Sequence, residues 1–220
     1  MPAAQFARRL VAGGCAAAAA MSAVALGTAT SSAATCSDVE IVFARGSGEL
    51  PGLGITGGPF ADAVKADLPG KTVTSYAVDY AADLAQTSAG PGATDMTRHV
   101  TSVASSCPGT KFVLGGYSQG ASVTDISIGI PTLLGTGETI PSALAPRIAA
   151  VAVFGNPLRL FGQNIPANSP TYGGRAIDLC NVGDPVCANG VNVLAHLTYG
   201  FDGSATNAAR FAADKVNASS

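Results

Sequence analysis

A serine hydroxyl attacks an acyl carbon only when a base takes its proton, and this chain holds one serine in a setting that would expose such a hydroxyl. Gly116-Tyr117-Ser118-Gln119-Gly120 follows the apolar run Phe112 to Leu114 and leads into a helix-like stretch. Ser118 thus falls on a strand-to-helix turn flanked by residues without a Cβ. In a chain with 27 glycines among 220 residues the pentapeptide arises readily by chance, so it needs partners. The chain offers two histidines, His99 and His196. His99 precedes the serine beside the apolar face of a predicted helix and reads as a partly exposed structural residue. His196 follows the last predicted strand, where a loop can carry an imidazole over the strand ends. The acid that would orient it is Asp184, inside Cys180-Asn181-Val182-Gly183-Asp184-Pro185-Val186-Cys187. Asp178 belongs to a predicted strand, and Asp202 comes after the histidine, against the order serine, acid, histidine of α/β hydrolases. The oxyanion that forms on an attacked carbonyl needs donors. Gln119 N–H is one, and the loop Arg45-Gly46-Ser47-Gly48-Glu49, after the first strand, offers a backbone N–H and a hydroxyl for the other.

Elements that could bring these residues together are readable from periodicity. Val39 to Ala44 is a nearly continuous apolar run suited to a buried strand, and Val73 to Val78, Phe112 to Leu114, Ile148 to Phe154 and Arg175 to Leu179 supply four more. Pro59 opens a short helix with Phe60, Val64 and Leu68 on one face, ended by Pro69-Gly70. Met96, Val100, Val103 and Cys107 line a second helix, Ala121 to Ile130 a third, and Ala205 to Val216 a last one; Ala81 to Ala93 is left unassigned. Strands alternating with helices predict a compact α/β fold, a mostly parallel sheet covered on both faces, with its ligand at the carboxyl ends of the strands. Ser118 falls at such an end. Val182, Val186, Val191, Val193, Leu194 and Leu197 flank the acid and the base and would form either an apolar wall for an acyl chain or ordinary packing.

Residues 1–34 read as a secretory signal: Arg8 and Arg9 precede an apolar stretch from Leu10 to Leu26, and Ser32-Ala33-Ala34 offers a cleavage site. Cys15 goes with it, and residues 35–220 form one domain. No later segment is apolar enough to span a bilayer. Of the five cysteines four then remain, Cys36, Cys107, Cys180 and Cys187, an even number in an exported chain that favours disulfides. Cys180 and Cys187 are near neighbours around an Asp-Pro turn, which leaves Cys36 to meet Cys107. Without Arg8 and Arg9, 10 of the 12 basic residues face 14 acidic ones. That balance gives no basic field for a phosphate backbone and argues against nucleic acid as a partner.

Together, Phe43-Ala44-Arg45-Gly46-Ser47, the pentapeptide around Ser118, the Cys180 to Cys187 loop and His196 followed by Tyr199 resemble the cutinase family of secreted serine esterases. The likeness runs from Cys36 to about Val216. It implies a compact α/β-hydrolase fold without a large lid, with Ser118 as nucleophile, His196 as base, Asp184 as acid, and Ser47 and Gln119 as the oxyanion hole. It implies a monomeric extracellular or cell-wall-associated enzyme acting on lipid or polyester esters with no cofactor and no metal. An acyltransferase or phospholipase with the same three residues, or a binding protein on an inactive scaffold, are the rival readings.

Overall fold

The computed structural model describes residues 36–219; the signal reading of residues 1–34, Cys15 included, lies outside them. Five strands, β1 (Val39–Ala44), β2 (Val73–Ala77), β3 (Lys111–Tyr117), β4 (Ile148–Phe154) and β5 (Ala176–Leu179), form one sheet in the order β2-β1-β3-β4-β5. Every neighbouring pair is parallel, with Val42 level with Tyr76 and Leu114, and Val153 level with Asp178. All carboxyl ends therefore lie along one edge, the edge at which open α/β sheets bind ligands.

Successive strand residues face opposite sides, so each side needs its own cover. Ile41 and Phe43 belong to a core with Phe60 and Val64 of α1 (Gly54–Asp67) and Ala208 and Ala212 of α6 (Ser204–Ala218). Val42 and Ala44 belong to the other, with Met96 and Val100 of α2 (Ala89–Ser106) and Val123 and Ile126 of α3 (Gln119–Ser127). β1 and β4 are buried along their whole length, which is why their runs are apolar apart from Glu40, whose carboxylate meets His99 at 3.1 Å. β2 is an edge strand and half exposed.

Several expected boundaries move. The first helix begins five residues before Pro59, because the Glu49 carboxylate accepts the N–H of Ile55 at 2.7 Å and gives the early first turn a partner. The second takes in the end of the unassigned stretch, starting at Ala89 after Ser88. β3 runs on through Gly115 and Gly116, while α3 starts two residues earlier than expected and stops at Ser127, before Gly129 at φ +80°. Two single turns were not foreseen: α4 (Ile165–Asn168) and α5 (Val193–Leu197). The second carries His196, which the sequence placed on a loop. Both expected disulfides are present, Cys36–Cys107 with Cα atoms 5.5 Å apart and Cys180–Cys187 with 5.9 Å. No helix among the described residues is long and apolar enough to cross a membrane.

One buried group is out of character for a core. Asp125 of α3 is fully buried, one of its oxygens has no partner, and the other lies 3.4 Å from the amide of Asn156, which also donates to Asp178 at 3.1 Å. Burial, and then the neighbouring Asp178, push the Asp125 carboxyl well above its ordinary value of 3.8. Folded Asp125 keeps its proton over a range in which the unfolded chain has released it, so its contribution is fully favourable only below about pH 4 and declines as pH rises toward the folded value. Urea unfolding at several pH values should show Asp125→Asn losing less stability than the wild type between pH 5 and 8. The difference should approach one proton, about 1.4 kcal/mol per pH unit at its steepest. Parallel curves would mean that Asp125 is ionised in the fold.

Candidate active site

At the end of β3 the chain turns through Ser118 at φ 56°, ψ −119°, a conformation that side chains other than glycine rarely adopt. The turn is locked by Ser118 N–H donating to the Phe154 carbonyl at 2.9 Å. Its tightness explains two of the glycines. A Cβ on Gly116 would stand 1.9 Å from the Gly120 carbonyl oxygen, and one on Gly120 would stand 2.0 Å from that of Ala44. Strand, turn and helix therefore close directly onto β1. Ser118 emerges half-exposed at the sheet's carboxyl edge.

His196 is brought to the same edge by α5. Its Nε2 lies 3.0 Å from Ser118 Oγ and its Nδ1 2.8 Å from Asp184 Oδ2. A carboxylate can only accept, so Nδ1 carries the proton and Nε2 is left to accept from the serine hydroxyl. Asp184 is fully buried and would be costly to keep charged without donors. It receives Val186 N–H on Oδ1 at 2.7 Å, and Tyr199 O–H on Oδ2 at 2.6 Å beside the imidazole. Tyr117 donates to the His196 carbonyl at 2.8 Å, with the two rings 5.0 Å apart. Burial holds the phenols of Tyr117 and Tyr199 above their ordinary range, with Glu49 next for Tyr117 and the bond to Asp184 next for Tyr199, so both stay protonated donors at neutral pH. The arrangement can move a proton from an alcohol to an imidazole and stabilise the imidazolium.

The competing acids lie elsewhere. Asp178 pairs with Arg159 at 3.5 Å, and Asp202 accepts from Asn181 at 2.6 Å and Thr198 at 3.1 Å. His99 lies 3.1 Å from Glu40 and stacks on Tyr76 at 3.5 Å, a structural setting.

Ser47 and Gln119 face each other across the serine turn, with Ser47 Oγ 3.5 Å from Gln119 Oε1. Gln119 opens α3, where backbone N–H groups have no partner within the helix. Sequence reasoning missed Gln86. Its side-chain amide donates to Ser47 Oγ at 2.5 Å, from a stretch where Ala82 and Gln86 both have positive φ. That bond holds Ser47 Oγ in place, with its own hydroxyl proton directed at Gln119 Oε1. The apolar residues beside the acid and base are mostly at the surface: Val182 is 97% exposed, Val191 95% and Leu194 68%. Leu50 and Leu84 on the Ser47 side are also solvent-facing.

A parallel sheet with a serine turn at its carboxyl edge, met there by a histidine and a buried aspartate, defines an α/β hydrolase. The cutinase family model matches residues 35–216, and the chain belongs to the cutinase family. It is 57% identical over 188 residues to a cutinase of Kineococcus radiotolerans, covering 84% of this chain and 64% of the relative's length. It is 43% identical to the phospholipase Culp4 of Mycobacterium tuberculosis, over 83% of this chain and 80% of that one. Among solved structures it is similar to Trichoderma reesei cutinase in complex with a phosphonate inhibitor, at 30% identity and a TM-score of 0.64, covering 82% of this chain and 77% of the other.

Because the Gly120 approach leaves no room for a methyl group, Gly120→Ala should lower stability by about 3 kcal/mol or more in urea unfolding. A variant as stable as the wild type would show that the elbow can relax.

Proposed function

We propose that the protein is an exported serine esterase that hydrolyses carboxylic esters through Ser118, His196 and Asp184. The observation that carries this reading is the unbroken relay from hydroxyl to imidazole to buried carboxylate, at 3.0 and 2.8 Å. Ser118 Oγ attacks the ester carbonyl carbon while His196 Nε2 takes its proton, and Asp184 stabilises the imidazolium so formed. The carbonyl oxygen, now an anion, is held by Gln119 N–H and by the Ser47 donors; each such donor is typically worth about 10² to 10³ in rate. The tetrahedral intermediate collapses, the C–O bond to the alcohol breaks, and His196 returns the proton to the leaving oxygen. Water then repeats the sequence, deprotonated by His196, and releases the acid with Ser118 restored. Side chains, substrate and one water supply every proton and electron pair in this route, so no cofactor enters it.

The half-exposed serine and the aliphatic side chains around it suit the acyl portion of a lipid or polyester rather than a small polar ester. Export is supported by the two disulfides, which persist in oxidising surroundings, and by the signal-like residues 1–34. A phospholipase reading is favoured by the 43% identity to Culp4. Product analysis with phosphatidylcholine vesicles separates it from hydrolysis of simple esters.

Ser118→Ala should lower turnover of p-nitrophenyl butyrate by at least about a thousandfold while the circular dichroism spectrum is preserved. Turnover at the wild-type rate would remove the assignment. Gln86→Ala should lower kcat about tenfold with KM nearly unchanged, since the lost bond holds in place Ser47, whose donors are needed in the transition state. A rise in KM alone would place Gln86 in substrate binding instead.

A further inference from the structure

Tyr199 occupies a position that packing alone does not explain. Its ring is fully buried against Phe154 and Tyr117, with centroids 5.9 and 6.0 Å away, a place that phenylalanine would fill equally well. Its oxygen, however, is the meeting point of the loop that carries the acid. It donates to Asp184 Oδ2 at 2.6 Å, accepts the N–H of Asn181 at 2.9 Å, and lies 3.4 Å from Cys187 Sγ. Accepting from Asn181 fixes the direction in which the hydroxyl can donate. The phenol therefore reads the two ends of the disulfide-closed loop and points its proton at the same oxygen that receives His196 Nδ1–H.

Two consequences follow from sharing that oxygen. Oδ2 is held by two donors at once, which fixes the carboxylate beside the imidazole. Its charge is also partly drawn toward the phenol, which weakens its hold on a protonated imidazole. We propose, on the basis of the relay described above, that Tyr199 is a positioning residue for Asp184, and that its hydroxyl extends to lower pH the range over which His196 is free to act as base. The other titratable groups facing this imidazole are few and named: Asp184 itself and Tyr117, whose ring packs on His196 with Glu49 nearby; Asp202 lies across Asn181.

Tyr199→Phe in the full chain keeps the ring and removes the oxygen. The pH dependence of kcat/KM for p-nitrophenyl butyrate should move its acid limb upward by about half a unit to one unit, and kcat at the optimum should fall about tenfold with KM little changed. A purely structural hydroxyl would lower the melting temperature and leave the acid limb where it is; that result overturns the proposal. Site-specific 3,5-difluorotyrosine at 199, a stronger donor of nearly the same shape, serves if the phenylalanine variant does not fold. With it the acid limb should move downward, and an unmoved limb again overturns the proposal. The relay reading fails separately, if Ser118→Ala retains wild-type turnover.

Discussion

A carboxylate buried completely inside a protein must be surrounded by donors, and the architecture at the sheet's carboxyl edge is organised around satisfying one. Asp184 collects a backbone N–H, a phenol and an imidazole, each contributed by a different turn of chain. Leaving any of them out would leave charge in a medium that solvates it poorly, at a cost of several kcal/mol. The loop from Cys180 to Cys187, the one-turn helix α5 and the start of the chain leading to α6 are thus held to one another through a single side chain. The disulfide limits where that side chain can go, and the hydrogen bonds decide where it points.

The serine arrives from the opposite direction under a different constraint. It is placed by backbone packing: β3 runs level with β1, Gly120 lies against the Ala44 carbonyl, and Ser118 is bonded to the end of β4. Ser118 leads into α3, whose Val123 and Ile126 belong to the core shared with α2, while Tyr199, three residues after His196, belongs to that shared by α1 and α6. The sheet between them is the common reference. A separation of 3.0 Å between hydroxyl and imidazole records how closely those two halves agree.

Strands buried on both faces, β1 and β4, were legible to the residue, because only Glu40 interrupts their apolar runs. The order of serine, aspartate and histidine was legible too, since it rests on residue types and chain order rather than on element boundaries. The first turns of α2 were not: Gly90-Pro91-Gly92 argue against a helix locally, and the helix is imposed by packing. α5 is too short to carry a periodicity, so His196 looked like a loop residue. Gln86 left no trace in the sequence. Its partner lies 39 positions away, and a single amide in an irregular stretch has no pattern to betray it. Tyr199 was visible as a marker beside His196, but the direction of its hydroxyl belongs to tertiary structure alone.

The exposed aliphatic side chains beside the acid, the base and Ser47 bear on how the protein behaves in concentrated solution. With 10 basic against 14 acidic residues once residues 1–34 are set aside, the formal charge is −4, and copies approach one another with modest long-range repulsion. Val182, Val191, Leu194, Leu50 and Leu84, all largely exposed, are then the apolar points at which two molecules would touch.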